Sequence, residues 1–157
     1  MTKSLMPALT AFGLIACQPA EPAAAPAQAA ASVIVTDAWC RPTPSGARAG
    51  ACYVTLTART ADRLVGIATP AAATTQIHDM TTTGGVMRMS EMTGGLPLPA
   101  GEAVTLAPGG RHLMLTGLTG PLVEGTRVTL TLDFERAPDQ VVQAVVRRLT
   151  TPARTGH

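Results

Sequence analysis

Five of the chain's seven methionines, Met80, Met87, Met89, Met92 and Met114, fall in one stretch with two of its three histidines, His78 and His112. Unbranched methionine is not a favoured strand residue, so this clustering asks for a chemical reason. Thioether sulfur is a soft, uncharged donor that never has to lose a proton, and imidazole binds copper in its neutral form. A His/Met set without thiolate or carboxylate selects a soft monovalent ion, Cu(I), over Zn(II) or Mg(II). The competing reading is an apolar patch that uses methionine as an adaptable gap-filler.

Spacing favours the donor reading. Successive side chains on a strand point to opposite faces. In His112-Leu113-Met114-Leu115 the leucines then face a core, and His112 and Met114 share the other face. His78 and Met80 share a face opposite Ile77, and Met87 and Met89 share one on either side of Arg88. Three strands thus each offer soft donors at positions i and i+2. Met80, Met87 and Met92 are expected as auxiliary donors.

The elements that must hold these residues are short β-branched runs separated by turn signals. The expected strands are Val33 to Arg41, Ala51 to Ala58, Arg63 to Thr69, Thr74 to Met80, Val86 to Met92, Ala103 to Leu106, His112 to Leu118, Arg127 to Phe134 and Val141 to Leu149. Between them lie Pro/Gly segments, among them Pro42 to Gly46, Gly84-Gly85, Pro97 to Gly101 and Pro108 to Gly110. No segment carries a long helical period, and evenly spaced short strands argue for an all-β sandwich or barrel. Aromatics make up only 3% of the chain, so its core must be built of Val, Leu, Ile and Ala. A formal charge of +2 with no block of like charge argues against nucleic acid as a partner.

The start of the chain reads as an export signal. Lys3 precedes an apolar run from Leu5 to Ala16 that is too short to span a bilayer. Leu14-Ile15-Ala16-Cys17 resembles a lipobox, which would lipidate Cys17 and anchor the protein to a membrane; the alternative is an ordinary signal cut near Ala31. Both place the protein outside the cytoplasm. The expected organisation is a signal at 1–17, an Ala/Pro-rich tether at 18–31, one β domain at 32–150 and a tail at 151–157. Cys40 and Cys52 remain, as a disulfide in an oxidising compartment or as two buried thiols. If their strands pair as a hairpin, the two sit at its mouth facing each other, and a disulfide is expected.

His78, ten residues, Met89, and then His112-Leu113-Met114 resemble the H-x10-M-x21-H-x-M pattern of the periplasmic PCu(A)C copper chaperones. Flanking sequence is similar too: Gly84-Gly85-Val86-Met87-Arg88-Met89, Leu106 to Leu115, Ala38-Trp39 and Asp62 to Gly66. One departure is plain: 22 residues, 90–111, separate Met89 from His112, and the extra one is expected in a hairpin tip around Thr93-Gly94-Gly95. The resemblance implies a cupredoxin-like Greek-key β-barrel or sandwich. It also implies that His78, Met89, His112 and Met114 hold one Cu(I) per chain. It further implies delivery to a copper-acceptor protein, either a cytochrome c oxidase subunit or a thiol-bearing assembly factor. A monomer without enzymatic activity is expected.

Rival readings are weaker on the residues. A blue-copper electron carrier needs a Cys ligand near His and Met, and neither Cys40 nor Cys52 has a His close by in sequence. No C-x-x-C-H haem motif occurs, and Asp79 beside His78 lacks any nucleophile context for a hydrolase. Copper sequestration against toxicity shares every residue with delivery, and sequence does not separate the two.

Overall fold

The structure, a computed structural model, describes residues 32–149. The signal, Cys17, the tether and the tail fall outside these residues. Ten strands and no helix form the described chain. In order they are β1 (Val33–Cys40), β2 (Ala49–Ala58), β3 (Asp62–Ala68), β4 (Ala72–Thr83), β5 (Val86–Glu91), β6 (Leu96–Leu98), β7 (Ala103–Thr105), β8 (His112–Leu118), β9 (Arg127–Phe134) and β10 (Gln140–Val146).

The strands hydrogen-bond in the order β5-β4-β8-β2-β1-β10-β9-β3-β6, with β7 on β2. All pairs are antiparallel except β1 with β10. On the edge away from β1, the long β2 serves two partners: Ala49 to Cys52 pair with β8, and Thr55 to Thr57 pair with β7. The two ends of this path, β5 and β6, are joined by residues 92–95 alone. Five peptide steps reach at most about 18 Å, so the ends must come together and the sheet curls over itself. Two contacts mark the seam: Thr75 Oγ1 donates to the Ile67 carbonyl, and Arg63 donates to the Gly94 carbonyl at 2.9 Å.

Alternation fills the interior. Leu56, Leu64, Leu96, Leu98, Leu106, Leu113, Leu115, Leu130 and Leu132 are fully buried, and Phe134 is the one aromatic ring in this cluster. Trp39 and Tyr53 are buried too, but away from the leucine cluster, with ring centroids 4.5 Å apart and Arg147 lying 4.9 Å over Trp39.

Cys40 and Cys52 form a disulfide between register partners of β1 and β2, with Cα atoms 3.9 Å apart. A bulge makes this pairing possible. The register between β1 and β2 shifts between Thr36 and Trp39, where Asp37 takes a left-handed φ of 49°. Without the inserted residue, position 39 would oppose Cys52 and the sulfurs would lie on opposite faces.

Four expectations about the elements need correction. Leu96–Leu98 is a strand, although Pro97 reads as a turn. Pro97 is exposed on the edge strand, where a missing N–H costs nothing, while Leu96 and Leu98 point inward. Residues 93–95 form no hairpin tip: they carry the chain across the seam, and Gly95 is buried there. The last strand ends at Val146, not Leu149, and β4 runs on to Thr83.

Candidate metal centre

Register, more than any single residue, assembles the site. His78 on β4 lies directly opposite His112 on β8, and Gln76 lies opposite Met114. On the other side of β4, Met80 lies opposite Met89 of β5. Alternation then puts His78, Met80, Met87, Met89, His112 and Met114 on one face. Ile77, Leu113 and Leu115 take the opposite face and are buried in the core. A cleft of about 520 Å³ opens on the donor face, lined by Met80, Met87, Met89, His112 and Met114, with Arg41 and Tyr53 beside them. His78 does not line the cleft; it stands half-buried behind it, its ring edge-on to His112 with centroids 5.6 Å apart.

The two imidazoles are held differently. His112 is only 5% exposed, so it lies deeper than a surface ligand. The chain doubles back just before it: the Ala107 N–H donates to Arg111 and the Gly110 N–H donates to Ala107. This turn brings the Gly110 carbonyl within 3.0 Å of His112 Nδ1. A carbonyl can only accept, so Nδ1 carries the proton and Nε2 keeps its lone pair for a ligand. His78 Nδ1, by contrast, is buried with no hydrogen-bond partner. An unpartnered buried ring nitrogen beside a second imidazole and several thioethers fits a ligand position that an ion would satisfy.

The donor chemistry is specific. Among the described residues, no group of three His, Cys, Asp or Glu side chains converges to hold a metal. The donors gathered around the two imidazoles on this face are thioethers, which suit Cu(I) and not Zn(II) or Mg(II). Among the described residues no cysteine is left for a blue-copper centre, because both Cys40 and Cys52 are consumed in the buried disulfide.

Of the expected auxiliary donors, Met80 and Met87 join the face, and Met92 does not. Met92 packs against the core cluster, since it stands three positions on from Met89 and an odd offset sends it to the other side. Tyr53 was not singled out as a site residue. It enters through β2, whose Ala51 is the register partner of Met114. Burial pushes the Tyr53 phenol pKa up, and Arg41 beside it partly counters this.

The all-β, curled sheet is the architecture of PCuAC domains, and the cupredoxin-like fold expected from sequence is the one observed. The copper-bound PCuAC domain from PmoF2 matches with a TM-score of 0.61 at 25% identity, over 73% of this chain and 92% of that one. Apo-DR1885 from Deinococcus radiodurans matches with a TM-score of 0.58 at 33% identity, over 90% and 98%. The Cu(I) form of DR1885 matches with a TM-score of 0.52 at 36% identity, over 70% and 74%. Residues 33–146 match the family described as "Putative lipoprotein LpqE-like", and the chain belongs to that family. It is also 36% identical over 138 residues to the "Putative lipoprotein Lxx21020" of Leifsonia xyli subsp. xyli, covering 87% of this chain and 83% of that protein.

Proposed function

We propose that this protein is an exported Cu(I) metallochaperone that holds one ion with His78, Met89, His112 and Met114 and passes it to an acceptor protein. The single observation that carries the reading is the cross-strand pair His78–His112, flanked on the same face by Met114 on one side and Met89 on the other. Two neutral imidazoles and two thioethers offer no net charge, so they favour the +1 ion and release it without a proton transfer. The likeness to the copper-bound PCuAC domain from PmoF2 and to the Cu(I) form of DR1885 supports this reading. Relatives described as lipoproteins support a lipid anchor at Cys17 and a periplasmic station at the membrane. The acceptor proposed is the copper centre of cytochrome c oxidase or a thiol-bearing assembly factor that serves it.

Competition for Cu(I) against a coloured chelator, under a reductant that does not itself bind copper, tests the site. One tightly held Cu(I) per chain, undisturbed by excess Zn(II), is the expected result. A preference for Zn(II) or Cu(II) would defeat the proposal. Oxidase copper content in a deletion strain tests the acceptor: it should fall, and unchanged content would leave sequestration as the function.

A further inference from the structure

Resting on the copper reading, we infer that Met80 and Met89 form an exchange pair: either thioether completes the Cu(I) site, and the ion leaves along β5 by way of Met89 and Met87. The phase of the ladder supplies the geometry. The Met92 N–H donates to the Ile77 carbonyl at 2.8 Å, which makes 77 and 92 a hydrogen-bonded pair. Counting two register steps at a time, His78–Glu91 and Met80–Met89 are then non-hydrogen-bonded pairs, the kind whose side chains lie closest, with Cα atoms about 4.5 Å apart.

Distances to the imidazoles do not favour Met89. Met80 stands one alternate step along β4 from His78, about 6.8 Å at the usual strand rise. Met89 is the diagonal neighbour of His78 across the β4–β5 pair, about 7–8 Å away. Both sulfurs sit on long unbranched arms and both line the same cleft. What separates them is exposure. Met80 is half-buried, Met89 is 51% exposed, and Met87, one alternate step further toward the Gly84-Gly85 turn, is 57% exposed. Exposure therefore rises along the thioether row from the histidines to the end of the hairpin, on a strand that forms the edge of the sheet.

The exchange balances simply. On the way out, the bond from copper to the Met80 sulfur breaks as the bond to the Met89 sulfur forms, copper stays Cu(I), and no proton moves because a thioether carries none. His78, His112 and Met114 keep the ion through the swap, so it never falls below three ligands, and Met89 then presents it toward Met87 and an incoming donor.

Methyl resonances of ¹³C-labelled methionine during Cu(I) titration test this without any substitution. At one equivalent, the signals of both Met80 and Met89 should shift together with Met114, while Met92 stays in place. Single changes to leucine, which conserve volume, provide the second arm. Met80→Leu and Met89→Leu should each weaken Cu(I) binding by about tenfold or less, and the double variant by more than about a hundredfold beyond either single, the excess loss expected when each residue replaces the other. A silent Met80 resonance, or a double variant no weaker than Met89→Leu, would overturn the exchange pair alone. A wild-type protein that binds no Cu(I) would overturn the copper reading and the exchange pair together.

Discussion

Leu113 and Met114 are adjacent in the chain, yet the first is 0% exposed in the core and the second opens onto the cleft. Leu113→Ala should cost about 2–5 kcal/mol of stability and leave the donors in place. Met114→Ala should melt close to wild type and lose Cu(I) to a chelator that wild type resists. Thermal melts and Cu(I) competition on both variants check the contrast; inverted results would mean that the facing is inverted. At this scale the sequence was most readable, because strand alternation is a rigid rule and all six donors on the face belong to i, i+2 pairs on β4, β5 and β8. The same rule, applied from Met89 to Met92, separates those two residues, and counting along the strand would have found it. The depth of His112 was not readable. It comes from the Gly110 carbonyl, which a turn folds onto the ring, and turn geometry of that kind leaves little trace in residue type.

At the scale of elements, nine of the ten strands were legible from β-branched runs and Gly/Pro punctuation, with ends displaced by a few residues. β6 was not, because Pro97 signals a turn and only edge placement makes it harmless. The bulge at Asp37 was equally hidden, although it decides whether Cys40 can meet Cys52. The disulfide closes a sequence separation of 12, so restricting the unfolded chain should contribute about 2–3 kcal/mol. The Cys40→Ser/Cys52→Ser double variant should lose about that much by denaturant titration; an unchanged midpoint would assign the bridge no role in stability. Both cysteines are fully buried, so a mild reductant should leave the bridge intact in the folded protein and cleave it only after unfolding. The connection from β5 to β6 carries its own constraint. Gly95 has φ of 73°, and a Cβ there would stand 2.6 Å from the Leu64 carbonyl oxygen. Gly95→Ala should therefore destabilise by about 1–3 kcal/mol, readable as a lowered melting temperature. A neutral outcome would mean that the seam yields easily.

For the molecule as a whole, core and site are stacked on opposite faces of the same two strands, β4 and β8. β8 and β4 turn Leu113, Leu115 and Ile77 inward and His112, Met114 and His78 outward, while β5 hangs its methionines on the free edge. Stability thus comes from the leucine cluster and the sheet, and does not depend on the donors. The consequence is a domain that should fold without metal and hold its donors already arranged by register. Copper should then act on stability only through mass action. A ligand that binds the folded state alone raises the unfolding free energy by about 2.7 kcal/mol when free ligand is about a hundred times its dissociation constant. Melting the protein with and without one equivalent of Cu(I) should raise the midpoint by several degrees, and Zn(II) at the same concentration should not move it. The gain should shrink in parallel with affinity in Met114→Ala, since the two quantities are linked through the same equilibrium. A Cu(I)-induced shift that survives in a His78→Ala/His112→Ala variant would place the ion elsewhere on the molecule. If the apo protein showed no cooperative melt at all, the separation of core from site would fail, and copper would be a structural part of the fold.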